Sequence, residues 1–135
     1  MNLIDCPGDF GHLTISALVA CADVLAAVMT GAMELEALMR IENCISEQVE
    51  LLNPTARLNH ILCGRVELGQ VIDQQVLAAL RETYPDQTMR TIIPKSVRVS
   101  ESDSAEEPVV RWAPSSSAAR AYRDAARELV ERMSG

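Results

Sequence analysis

Residues 24–29 read Val-Leu-Ala-Ala-Val-Met, six apolar residues in a row between Asp23 and Thr30-Gly31. A continuous apolar run of this length suits a strand covered on both faces, as in a parallel sheet, better than the alternating pattern of a half-solvated one. Downstream, apolar residues fall at Leu35, Leu38, Ile41, Ile45, Val49 and Leu52, so the spacing predicts a helix from Met33 to Leu52 that Asn53-Pro54 ends. Leu58 to Val66 reads as a second strand, followed by a helix with Ile72, Val76, Leu77 and Leu80 on one side, which Tyr84-Pro85 stops. Thr91-Ile92-Ile93 makes a third strand, closed by Pro94. Upstream, a helix is predicted from His12 to Cys21, and Asn2 to Asp5 reads as the end of a strand before the turn Cys6-Pro7-Gly8-Asp9. The alternation of strands and helices predicts one α/β domain over residues 1–135, a mostly parallel sheet flanked by helices.

Residues Lys95 to Pro114 are polar, with Ser100-Glu101-Ser102-Asp103-Ser104 at their centre, and by composition read as a flexible surface loop. A last helix is expected over residues 115–133, with a modest apolar face of Ala121, Tyr122, Ala125, Leu129 and Val130.

The chain carries 19 acidic and 12 basic side chains, a net charge of −7, and only 3% aromatic residues. Its core must therefore be built from aliphatic residues, and its overall field repels nucleic acid and anionic membranes. No apolar run reaches the roughly 18 residues of a membrane span, and no signal peptide is evident, so a cytoplasmic protein is expected. Cys6, Cys21, Cys44 and Cys63 form no C-x-x-C pair. They read as reduced, mostly buried small hydrophobes, not as a zinc site.

Three stretches together resemble the ParA family of bacterial partition ATPases, whose relatives include the MinD proteins. Ile4-Asp5-Cys6-Pro7 with Gly11, Leu13, Thr14 and Ala17-Leu18 is similar to the family's Walker B and switch segment, here residues 2–14. Ile93-Pro94-Lys95-Ser96-Val97-Arg98-Val99-Ser100-Glu101 resembles the segment I-P-x-x-V-R-x-S-E, and residues 93–108 resemble its adenine loop. Pro108-Val109, Ala113-Pro114-Ser115, Ala118-Ala119 and Ala121-Tyr122-Arg123 resemble the closing loop and final helix. Each is weak alone, but the three stand in the family's order and cover nearly the whole chain. There are departures: Gly8 stands where a second proline is usual, and Glu106-Glu107 where Gly-Lys is frequent.

The resemblance implies a P-loop NTPase fold of the SIMIBI-like kind, missing its N-terminal strands, from a protein for plasmid or chromosome partition. It implies Mg²⁺ at Asp5, whose alternative reading is a turn residue before Cys6-Pro7. It implies that Pro94, Lys95, Val97 and Arg98 wrap the adenine of ATP, largely through backbone groups; an ordinary strand exit would look the same. It implies that Arg98, Arg120 and Arg123 form a basic strip for DNA without sequence preference. Composition favours the alternative, a helix face paired with Asp124, Glu128 and Glu131. A final helix lying on a membrane is disfavoured, because it lacks bulky apolar residues and lysines. Expected partners are a second copy, a ParA-like N-terminal half or a full-length relative, and a ParB-like centromere-binding protein, with association to the nucleoid through DNA.

The family's glycine- and lysine-rich phosphate loop has no counterpart here. Gly64 and Gly69 are isolated, and Lys95 is the sole lysine. Phosphoryl transfer rests on positioning and charge stabilisation that such a loop supplies, so these 135 residues are not expected to hydrolyse ATP alone. In the family the phosphate-loop strand lies inside the sheet, so its absence should leave bare strand edges. Each buried unpaired backbone group costs roughly 1–3 kcal/mol, against the roughly 5–15 kcal/mol that a whole domain holds. The chain alone is thus expected to fold poorly, aggregate or pair with whatever fills the gap. A gene fragment fits the same expectation, as does a non-catalytic module that pairs with a full-length relative; a further reading is a relative acting in cell-division placement or cell-surface organelle positioning.

Overall fold

The computed structural model describes residues 1–31 and 34–135. Met33, where the sequence places the start of the second helix, lies outside the described residues. Among them, three strands form one parallel sheet in the order β1-β2-β3: Val24–Met29, Leu58–Val66 and Thr88–Pro94. All three were legible, although the sequence began β3 at Thr91. Helix α1 (His12–Ala20) precedes β1, α2 (Glu34–Cys44) joins β1 to β2, and α3 (Val71–Thr83) joins β2 to β3.

Side chains alternate across the sheet, and the two faces differ. On one face Ala26 and Val28 of β1 and Ile61 and Cys63 of β2 pack with Leu38 of α2, Leu77 and Leu80 of α3, and Tyr84 just after it. Two successive crossovers thus place their helices on the same side, as parallel connections of one hand require. Burial of Tyr84 and its hydrogen bond to Glu42 Oε2 (2.8 Å) push the phenol up to about 12 and tie the end of α3 to α2. A second cluster seats α1 on α2 and on the five-residue π-helical turn Ile45–Val49 that continues it, through Leu18, Cys44, Ile45 and Val49. Asn53 then caps α1, its Nδ2 donating to the carbonyls of Leu18 (3.2 Å), Val19 (3.0 Å) and Cys21 (2.6 Å), which the helix leaves unpaired.

The opposite face is only half covered. Helix α6 (Ser117–Ser134) lays Ala121, Ala125 and Leu129 over Met89 and Ile93 of β3 and Leu62 of β2. Ala27 stands in register with Leu62, but nothing described here covers β1 on that side, and Leu25 and Met29 are 39% and 53% exposed. The double-sided burial expected of residues 24–29 is met on one side alone. The outer edge of β1 pairs with no strand among the described residues.

Two expectations are corrected. Residues 2–5 carry no regular structure and are exposed, because no described strand stands beside them to complete a ladder. Residues 95–114 are not a loop: they hold α4 (Val97–Ser104) and the short α5 (Val109–Trp112). Their serines mislead because serine usually competes with the backbone for hydrogen bonds. Here Ser96 caps α4 by accepting from the Arg98 amide (3.2 Å), and the Ser102 and Ser104 hydroxyls donate back to Val99 and Ser100 carbonyls (2.8 and 3.1 Å). Pro108 opens α5, where its lack of an amide costs nothing. Between the two helices Glu106 adopts φ 53, a left-handed conformation that glycine reaches without strain. This is one of the two positions where the resembled family frequently has Gly-Lys.

The dock of α6 onto β3 centres on Glu128, a carboxylate only 4% exposed. It accepts the Arg90 and Thr91 amides (both 2.8 Å) and pairs with Arg132 (2.9 Å), which also donates to the Asp86 and Thr88 carbonyls (2.8 and 3.0 Å). Burial pushes the carboxyl up, but the two amides, Thr91 and Arg132 outweigh it and hold it at about 2.

Two outcomes are expected. Because the folded carboxyl titrates below the ordinary value of 4.5, its stabilisation is complete above that value and is lost as pH falls from 4.5 toward 2. Glu128→Gln should cost roughly 2–4 kcal/mol at neutral pH and flatten that acid limb in urea denaturation series. Glu106→Gly should instead raise stability by about 1 kcal/mol in the same assay, by relieving the left-handed backbone.

Candidate functional site

The carboxyl ends of parallel strands are where ligands enter open α/β sheets. Here those ends open into a cleft of about 810 Å³, floored by Ala27, Met29, Leu62 and Gly64 and walled by Ile93 to Val97, Ser100, Asp103 and Tyr122. Pro94 ends β3 and offers no amide. The Lys95 amide extends the pairing by one bond to the Val66 carbonyl (3.0 Å), after which the chain turns into α4 at Ser96. The segment is therefore a strand exit held rigidly at both ends, by the sheet behind it and a capped helix ahead.

Of the residues expected to wrap adenine, Pro94, Lys95 and Val97 line this cleft and Arg98 does not. The Lys95 ammonium pairs with Glu67 Oε1 at 2.7 Å, which neutralises it, while Arg98 reaches along its own helix to Glu101 (2.9 Å). Asp5, the expected metal ligand, lies in the exposed N-terminal segment and is not part of the cleft wall. Among the described residues no cluster of three or more His, Cys, Asp or Glu side chains is placed to hold a metal ion. The cleft offers an apolar floor and a backbone-lined wall, which suit a flat base. It offers no array of amides and lysines for phosphates and no carboxylate cluster for Mg²⁺, so these residues fit the base end of ATP and not its metal-bound triphosphate end.

The three arginines expected at DNA are not brought together as one free strip. The Arg123 guanidinium donates to the Pro114 and Val110 carbonyls (2.7 and 3.0 Å), fastening α5 to α6. Arg98 is ion-paired; Arg120 is exposed and makes no ion pair among the described residues. The neighbouring arginines are answered by acids: Arg127 by Asp124 at 2.7 Å and Arg111 by Glu107 at 3.7 Å. Of the expected acids, Asp124 pairs with Arg127, Glu128 with Arg132 and Arg90, and Glu131 with Arg90, so none of them answers Arg98, Arg120 or Arg123.

Sequence reasoning missed Arg65 and Tyr122 in the cleft. Arg65 adopts φ 54 at the end of β2, with its Nη1 3.8 Å from the Met29 sulfur and no acid within ion-pair distance among the described residues. Nothing local in the sequence marks a left-handed arginine. All four cysteines are free thiols. Cys44 and Cys63 are buried, and burial pushes the Cys63 thiol up to about 11, which makes it unreactive at neutral pH. No described helix is long and apolar enough to cross a membrane.

No family model matches the chain. It is 33% identical over 130 residues to an uncharacterised protein of Mycobacterium tuberculosis, covering 96% of this chain and 41% of that one. It is 31% identical over 128 residues to the sporulation initiation inhibitor protein Soj of Bacillus subtilis, covering 95% of this chain and 51% of the relative. With the chromosome-partitioning ATPase Soj of Thermus thermophilus it shares 33% identity over 131 residues, 97% of this chain and 53% of the relative. The chain thus spans about half the length of the curated relatives it matches, and along nearly all of its own length it is similar to chromosome-partitioning proteins.

Proposed function

We propose that these residues form the C-terminal portion of a ParA-like partition ATPase. In that reading the Pro94 to Arg98 segment holds the adenine end of ATP, and a phosphate loop outside these 135 residues holds the rest. The observation that carries it is the placement of Pro94, Lys95 and Val97 in the wall of the cleft at the carboxyl ends of three parallel strands. Similarity to proteins named for chromosome partitioning, along nearly the whole chain, supports it. Asp5 would serve Mg²⁺ only once the N-terminal segment is ordered beside the phosphate-loop strand. Contact with DNA would fall to Arg98 and Arg120, since Arg123 is committed to holding α5 and the net charge is −7. A second copy, a full-length relative and a ParB-like protein are the partners that follow from the same reading.

The second reading is a non-catalytic module that pairs with a full-length relative, and one observation favours it. The bare β1 edge and its apolar side chains Leu25 and Met29 are a ready surface for another polypeptide. Both readings require that surface to be covered.

Calorimetry with Mg-ATP separates them from the simpler idea of a self-sufficient ATPase. The 135 residues alone should give no heat of binding, and an added polypeptide bearing the phosphate loop should restore both binding and hydrolysis; micromolar affinity from the chain alone would overturn the proposal. Association through β1 has its own check. Met29→Lys, on the exposed face, should change unfolding free energy by no more than about 0.5 kcal/mol while abolishing self-association or pairing seen by sedimentation.

A further inference from the structure

His60 is placed in β2 on the face that α6 covers, in register with Leu25 of β1. It is 7% exposed, and neither ring nitrogen has a hydrogen-bond partner among the described residues. Buried imidazoles are normally fixed by a bond at one nitrogen at least. The nearest acid is Asp23, just ahead of β1, whose Oδ1 is 3.9 Å from Nε2 and so beyond hydrogen-bond reach. From α6 the charged groups that act on the ring are Glu128 and Arg132, the pair that clamps the helix to β3. Arg90 of β3 does not act on the ring directly; its exposed guanidinium lies against Glu128 and Glu131 (both 3.8 Å).

We propose that His60 is a proton-sensitive latch beneath α6: on taking a proton it loosens the C-terminal helix from the sheet. A neutral ring is tolerated in this dry position. An imidazolium there has only the Asp23 carboxylate, at 3.9 Å, within ion-pair distance, adds a second cation near Arg132, and competes with Arg132 for Glu128. Each response to the charge disturbs an attachment that the fold relies on. Asp23 must move in and shift the approach to β1, or Glu128 must turn from Arg132 and from the β3 amides. The direction agrees with the electrostatics: burial holds the imidazole below its ordinary value of 6.5, Arg132 acts the same way, and Asp23 and Glu128 oppose them. With the folded value depressed, the opened state takes the proton first, so attachment weakens as pH falls through 6.5 and below. Glu128 itself titrates far lower, at about 2, and contributes nothing in this window.

The chain has two histidines, so the His60 imidazole can be followed by proton NMR. It should titrate below the ordinary imidazole value of 6.5. Between pH 7 and 5, amide exchange should report that opening of residues 117–134 increases, by up to about tenfold per pH unit, the limit for one proton. His60→Phe keeps a ring and removes the proton; it should abolish that acid response. His60→Gln, smaller and also untitratable, decides the matter should the phenylalanine fail to pack. The proposal falls if His60 titrates at or above 6.5, or if a folded untitratable variant opens with the same pH dependence as the natural chain.

Discussion

A single buried carboxylate holds the C-terminal third of this molecule in place. Glu128 reaches down from α6 to take two amides of β3 that the sheet does not use, while Arg132 neutralises it and binds two carbonyls at the strand's beginning. An isolated charge in such a place would be prohibitive; amides and a guanidinium together turn it into an attachment. From there the order of dependence runs outward. With α6 fixed, Arg123 on it fastens α5, α5 continues from α4, and α4 fixes where the chain leaves β3. The cleft wall therefore inherits its position from a contact that lies outside the cleft.

In the proposed reading the cleft takes one part of a nucleotide and leaves the other. An apolar floor and a wall of strand-exit backbone would hold a base through shape and main-chain groups, which needs few particular side chains. Phosphates demand convergent amides and cations, and the lone lysine is already neutralised by Glu67. The division matches the extent of similarity, which spans this chain and about half of its relatives.

What was legible in the sequence follows from how strongly local pattern and tertiary burial agree. β1 and β2 appear with the boundaries read from their apolar runs, and α6 within a residue or two, because long periodic segments carry their own signal. α4 and α5 were hidden, since serine hydroxyls that bond within a helix look, in composition, like those that break one. Residues 2–5 erred the other way: their apolar character suits a strand, but a strand needs a neighbour. At the site, Pro94, Lys95 and Val97 were reachable through an extended sequence pattern. Arg65 and Tyr122 come into the cleft only through folding, from positions 57 residues apart in the chain. Arg123 was expected at DNA because it is basic. That it spends both nitrogens on α5 carbonyls and those beside it could be learned only from coordinates.

The two borders of the sheet are unlike, and this sets the geometry of any assembly built by strand addition. β3 has amides already occupied by Glu128 and ends in a proline without one, whereas β1 is uncharged and, among the described residues, pairs with no strand on its outer edge. Growth is then possible from one border only. An incoming polypeptide that satisfies β1 leaves no equivalent border on this chain for the next, so the process closes after a single step and yields discrete pairs where a symmetric sheet would propagate into fibres.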